Sequence, residues 1–143
     1  MERGEDRKEM MRQRTRRFAS LIIRFYCTLP KNRMECQVIG KQLLRSGTSV
    51  AANYREASRA RSNAEFISKI ELCVQEADET TLWLELLRED CGIVSEPLVE
   101  LLDESNQLIS IFVTMSKNVK KRQKDRAERS GLRDDRKGLR DET

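Results

Sequence analysis

The chain has 143 residues, of which 36% are charged and 5% aromatic, with 28 Lys and Arg, 24 Asp and Glu, and no histidine. That length suits one domain with one core, and a chain without histidine cannot build Ser-His-Asp or Cys-His catalysis or the usual mixed cysteine-histidine zinc site. No run of about 18 uncharged apolar residues is present to span a membrane, and residues 1–17 lack the apolar segment of a secretory signal, so a cytoplasmic location is expected. Two prolines and six glycines among so many charged residues favour a long-helix protein over a sandwich or barrel.

Cys27, Cys36, Cys73 and Cys91 occur singly with no CxxC pair, which reads as small apolar packing residues kept reduced. No Gly-rich phosphate loop or HExxH spacing occurs, and no cofactor is expected.

In chain order, Phe18, Leu21, Ile22, Phe25 and Leu29 have the three-four spacing of one helical face, and the stretch after Thr28, with Pro30, stops that helix. A second pattern runs from Met34 through Cys36, Ile39, Leu43, Gly47, Val50, Tyr54 and Ala57. The third segment opens with Ser62 and Glu65 at capping-box spacing. It continues through Phe66, Ile70, Cys73, Ala77, Thr81, Leu84 and Leu87 to a glycine stop at Cys91-Gly92. A fourth begins at Ser95, tolerates Pro97 in its first turn, and carries Leu98, Leu101, Leu102, Ser105, Leu108, Phe112, Met115 and Val119. Four such amphipathic helices with short connections predict an all-α fold, an antiparallel up-down-up-down four-helix bundle. Its expected extent is residues 18–121, with a charged N-terminal extension over 1–17 and a charged, disordered tail over 122–143.

The two ends hold the positive charge: residues 1–17 have a net charge of +3, residues 117–143 of +5, and the middle of −4. In this topology both termini and the connection between the second and third helices share one end. Arg55, Arg59 and Arg61 flank that connection and should join both terminal clusters, with Lys120, Lys121 and Arg122 as candidate contacts, at one basic pole for nucleic-acid phosphates. The tail mixes charge signs, so a merely solvated segment competes with that reading. It has no interleaved aromatic residue, which favours backbone contact over base stacking.

Between these signals lies LLRSGTSVAANYREASRARSNAEF, residues 43–66. Gly47, Ala51 and Ala52 allow two helices to approach closely, while Ser46, Ser49, Asn53 and Glu56 form a polar stripe beside the apolar one. Glu76, Glu79 and Trp83 flank the corresponding stripe of the third segment. These groups are expected to pair across the two helices or to serve a subunit interface, with Trp83 as packing. The competing reading is a carboxylate site on Glu76 and Glu79; a di-metal version would want Glu-x-x-His motifs, and none exists.

The stretch RSGTSVAANYREA, followed by ARSNAEF and by EADET with Trp83-Leu84 nearby, resembles the small bacterial four-helix bundle proteins encoded in intervening sequences of 23S ribosomal RNA genes, the S23 ribosomal protein family. The resemblance is close over the second and third helices and looser over the first and fourth. The N-terminal run and the tail after about Lys121 lie outside it. The matching motif positions are Arg45, Ser46, Ser49, Asn53, Arg55, Glu56, Arg59, Arg61, Glu65, Glu76 and Glu79. The resemblance implies a homo-oligomeric ring, commonly a pentamer, with no established catalytic activity. A related branch, the accessory variability proteins of diversity-generating retroelements, is similar in fold and binds nucleic acid and a reverse transcriptase through a basic surface. The expectation is a nonenzymatic oligomer that binds RNA or DNA through its basic surface, with a scaffold docking a protein such as a reverse transcriptase as the second reading.

Overall fold

The structure, a computed structural model, describes residues 2–141, with side chains for residues 3–132. Four helices and no strand are found among the described residues: α1 (Glu2–Cys27), α2 (Met34–Ser58), α3 (Asn63–Glu89) and α4 (Glu96–Asp141). Consecutive helices pack on one another and run antiparallel. Arg12 meets Ser58 and Ile22 meets Gly47 across α1 and α2; Ser46 meets Thr80 across α2 and α3; Thr81 meets Ser105 across α3 and α4. The α1/α4 contact that closes the circuit is the sparsest of the four.

The core is the stripe the apolar spacing predicts. Phe18, Ile22, Leu43, Val50, Tyr54, Ile70, Leu84, Leu87, Leu98, Leu108 and Phe112 are all at most 2% exposed, and the Tyr54 and Phe112 rings stack with centroids 6.0 Å apart. Fully burying each large apolar side chain contributes about 1.5–3 kcal/mol relative to leaving it in water. Leu21, expected on this stripe, lies instead at its margin and is 36% exposed.

The first and last helices run beyond the expected bundle, residues 18–121, at both ends. Helix α1 starts at Glu2 because Met11 and Thr15 extend the stripe of Phe18 toward the N-terminus at three-four spacing, and both are buried. Pairs one turn apart, Lys8 with Glu5 and Arg12 with Glu9, support its charged first half. Helix α4 likewise continues through residues 122–141, where a disordered tail was expected, although every side chain described after Val119 is exposed. Residues 142 and 143, which complete that expected tail, lie outside the described residues. Beyond the contact of Arg12 with Ser58, which ends α2, the charged start of α1 has no further turn of α2 to pack on.

The caps refine the sequence reading. The Ser62 hydroxyl accepts from the Glu65 amide at 3.1 Å, but the Glu65 carboxylate accepts from the Arg61 amide, one residue earlier than in a capping box. Helix α3 ends at Glu89; the Cys91 amide donates to Leu86 and the Ile93 amide to Leu87, with Gly92 at φ +68° making the left-handed turn.

Candidate nucleic-acid interface

A groove of about 960 Å³ lies along the outer side of α2, between α1 and α3, at the end of the bundle where α2 turns into α3. Small Ala51 and Ala52 are among its lining residues. Its cations come from three helices and one turn: Arg12 and Arg16 one turn apart on α1, Arg55 and Arg59 one turn apart on and just after α2, Arg61 in the turn, and Lys69 on α3.

Two of these cations are neutralised locally. Lys69 pairs with Glu56 at 2.7 Å, a hydrogen bond that holds its ammonium above the ordinary lysine range. Arg12 reaches Glu9 at 2.9 Å and donates to the Ser58 hydroxyl at 3.1 Å; Gln13 and Arg12 together hold the Glu9 carboxyl below its usual value. Arg16, Arg55, Arg59 and Arg61 make no ion pair among the described residues. Four guanidiniums thus line one concavity with no carboxylate at ion-pair distance among the described residues, although Glu56 and Glu65 line it too. Among the described residues no aromatic side chain lines the groove, so its means of holding a ligand is charge and hydrogen bonding.

The structure therefore brings Arg55, Arg59 and Arg61 together and adds Arg12, Arg16 and Lys69 to them. It does not bring Lys120 there: that ammonium pairs with Glu71 at 2.7 Å, on the flank between α3 and α4. Lys121 and Arg122 are exposed on α4 and do not line the groove. Arg12 and Arg16 belong to the N-terminal charge expected at this pole, without having been singled out there. Their spacing to the buried Met11 and Thr15 was the signal available.

The expected polar stripe divides by depth. Ser46 is fully buried, its Oγ 2.9 Å from Thr80 Oγ1, while Ser49 donates to the Arg45 carbonyl at 2.8 Å. Arg45 bridges Glu79 at 2.7 Å and Glu76 at 3.4 Å. Glu79 raises the Arg45 pKa, and burial, then the neighbouring Glu79, raises that of Glu76. Asn53 is half-buried on the same helix as Glu56. Trp83 packs partly buried against the core, its Nε1 buried without a hydrogen-bond partner among the described residues. Sequence reasoning missed Thr80, whose hydroxyl completes the contact to Ser46. No group of three or more Cys, Asp or Glu suited to a metal ion occurs among the described residues, and no helix among them is long and apolar enough to cross a membrane.

Helix packing and topology define a small all-α bundle protein. The chain belongs to the 23S rRNA-intervening sequence protein family, whose model matches residues 7–114. That match begins inside the N-terminal run expected to lie outside the family, in keeping with the packing of Met11 and Thr15. The chain is also similar to a protein of unknown function from the S23 ribosomal protein family of Bacteroides thetaiotaomicron VPI-5482, known from a crystal structure at 1.70 Å resolution, with 35% identity and a TM-score of 0.69. That similarity covers 77% of this chain and 97% of the other. No curated protein matches the chain.

Proposed function

We propose that this protein is a nonenzymatic, oligomeric RNA-binding protein that holds phosphates in the groove between α1, α2 and α3. The observation that carries this reading is the set Arg16, Arg55, Arg59 and Arg61, gathered from separate segments into one concavity without ion-pair partners among the described residues. Arginine suits phosphate oxygens through its bidentate fork, and neutralising phosphates releases counterions, which makes binding salt-dependent.

Association of copies would multiply such grooves and raise avidity. The flank carrying Arg45, Glu76 and Glu79 suits that contact. Val38, seven residues before Arg45, is 56% exposed, and Leu72, four before Glu76, is 37% exposed, so apolar and charged groups alternate on one surface. A ring of five copies is what the family resemblance implies. The same apolar positions support the second reading, a scaffold that docks a partner protein such as a reverse transcriptase.

The test is fluorescence anisotropy of labelled RNA across a salt series, with the full chain and an Arg55→Glu/Arg59→Glu variant. The expected result is salt-sensitive binding by the native chain and its loss in a variant that keeps its helical circular dichroism and oligomeric state. Absence of binding by the native chain at low salt would overturn the reading and favour protein docking.

A further inference from the structure

A second concavity of about 540 Å³ opens at the opposite end of the bundle, in the cleft between α1 and α4. Its apolar lining residues are Leu21, Phe25, Ile93, Val94, Pro97 and Leu101, of which Phe25 and Leu101 are almost fully covered and Val94 almost fully exposed. Its rim is polar. Thr28 and Ser95 present hydroxyls there, while Glu104 is held by Arg14 at 2.6 Å. Arg24 and Glu100 make no ion pair among the described residues.

This cleft is connected to the basic groove. A shallow shelf on the back of α1 is lined by Gln13, Arg16, Arg17, Ser20, Leu21 and Arg24, with no carboxylate among them. Arg16 lines both the groove and the shelf; Leu21 and Arg24 line both the shelf and the cleft. One track therefore leads from Arg55, Arg59 and Arg61 over Arg16 and Arg17 to Arg24, with ~10 Å of helix rise between Arg17 and Arg24. It ends in an apolar hollow.

We infer that the α1/α4 cleft receives an unpaired base of a single-stranded RNA whose phosphates follow Arg16, Arg17 and Arg24. The inference rests on the groove reading and goes further, since it names the form of nucleic acid and a second contact. Apolar concave walls suit the flat face of a base better than a sugar or a phosphate. The rim matches a base edge: a carboxylate such as Glu100 accepts from an exocyclic amine, and hydroxyls serve either role. A guanidinium at the mouth, Arg24, can stack on the ring or hold its phosphate. A perfect duplex keeps its bases stacked inside and leaves the cleft empty.

The experiment compares a short mixed-sequence single strand, carrying 2-aminopurine at one position, with a fully paired duplex of the same length. Proteins are the native full chain, Leu21→Glu, which alters a residue already at the surface, and Arg55→Glu/Arg59→Glu. The native chain is expected to prefer the single strand by about tenfold, the contribution of one stacked base, and to change the 2-aminopurine fluorescence on binding. Leu21→Glu should abolish both the preference and the fluorescence change while keeping the helical circular dichroism of the native chain. Equal native affinity for the two RNAs, or a single-strand preference that survives Leu21→Glu, overturns the cleft and leaves the groove standing. Altered sedimentation of Leu21→Glu also overturns it, by showing that a second copy covers the cleft. If neither RNA binds the native chain at low salt, the groove reading fails and this inference with it.

Discussion

The hydroxyls of Thr81 and Ser105 lie 2.8 Å apart inside the interface of α3 and α4, and the adjacent Thr80 lies 2.9 Å from Ser46 on the other side of α3. Two successive residues of one helix thus fasten it to both neighbours. A Thr81→Val substitution strips Ser105 of that partner, though the Ser105 hydroxyl keeps the Leu102 carbonyl at 3.1 Å. The expected loss is about 1 kcal/mol. Adding Ser105→Ala should cost less than its separate effect, because Ser105 has by then already lost one of its two hydrogen-bond partners. Thermal denaturation of the two single variants and the double variant measures the coupling.

Gly47 allows α1 and α2 to approach closely. A methyl group there would come within 2.8 Å of Ile22 Cγ1 and 2.9 Å of its Cγ2, two atoms fixed near the backbone of a fully buried side chain. Gly47→Ala gains up to about 1 kcal/mol of helix propensity but incurs overpacking of roughly 1–3 kcal/mol. The net expectation is destabilisation, seen as a lower urea midpoint. A variant as stable as the native chain would show that α1 shifts easily.

Arg14 donates to both oxygens of Glu104 at 3.0 and 2.6 Å, the one ion pair between α1 and α4 among the described residues, and Glu104 raises its pKa. Both side chains are about one-third exposed, so the pair should contribute no more than about 1 kcal/mol. Arg14→Met keeps the aliphatic stem and should lower stability by that amount, with faster amide exchange in the N-terminal half of α1.

Alkaline pH should unfold the protein. Burial pushes the Cys73 thiol up to about 12 and the Tyr54 hydroxyl up to about 12, from ordinary values of 9.0 and 10.0. Between those values the unfolded chain has released protons that the folded chain keeps, so stability is complete below about pH 9 and falls as pH rises toward 12. Cys73→Ala creates a small cavity but should flatten the first part of that fall. Chemical denaturation from pH 8 to pH 11 reads the slope directly.

In the groove, each lost phosphate contact should reduce the slope of log affinity against log salt by about 0.7 for a single strand. Arg55→Gln and Arg59→Gln should each do so, while Lys120→Gln, which removes the partner of Glu71 outside the groove, should change it little.

Much of this architecture was legible in the sequence because helical periodicity records which face is covered. The stripes through Ile22, Leu43, Leu84 and Leu108 identified four helices and nearly all of the core. The ends were not legible, since Thr15 carries a hydroxyl and Met11 sits beside the exposed Met10 among charges, and their place in the stripe shows only once the neighbouring helix is present. Arg55, Arg59 and Arg61 were legible as a cluster because a short turn joins them. Arg16 was legible only as part of the N-terminal charge, because its place in the groove depends on the packing of α1 against α2, and the separation of Lys120 depends equally on its tertiary partner Glu71. The Thr80-Ser46 contact was hidden for a related reason: a serine on an apolar face does not say which hydroxyl opposite it completes the bond.

The sparse seam between α1 and α4 bears on how the molecule assembles in time. Most tertiary contact joins helices that are neighbours along the chain, so successive hairpins can form without first closing the longest loop, and collapse should be fast. Joining the first helix to the last spans the greatest sequence separation for the smallest return. That seam should be the last to zip and the first to open, which makes the native state breathe along the edge where Leu21 and Val94 meet solvent.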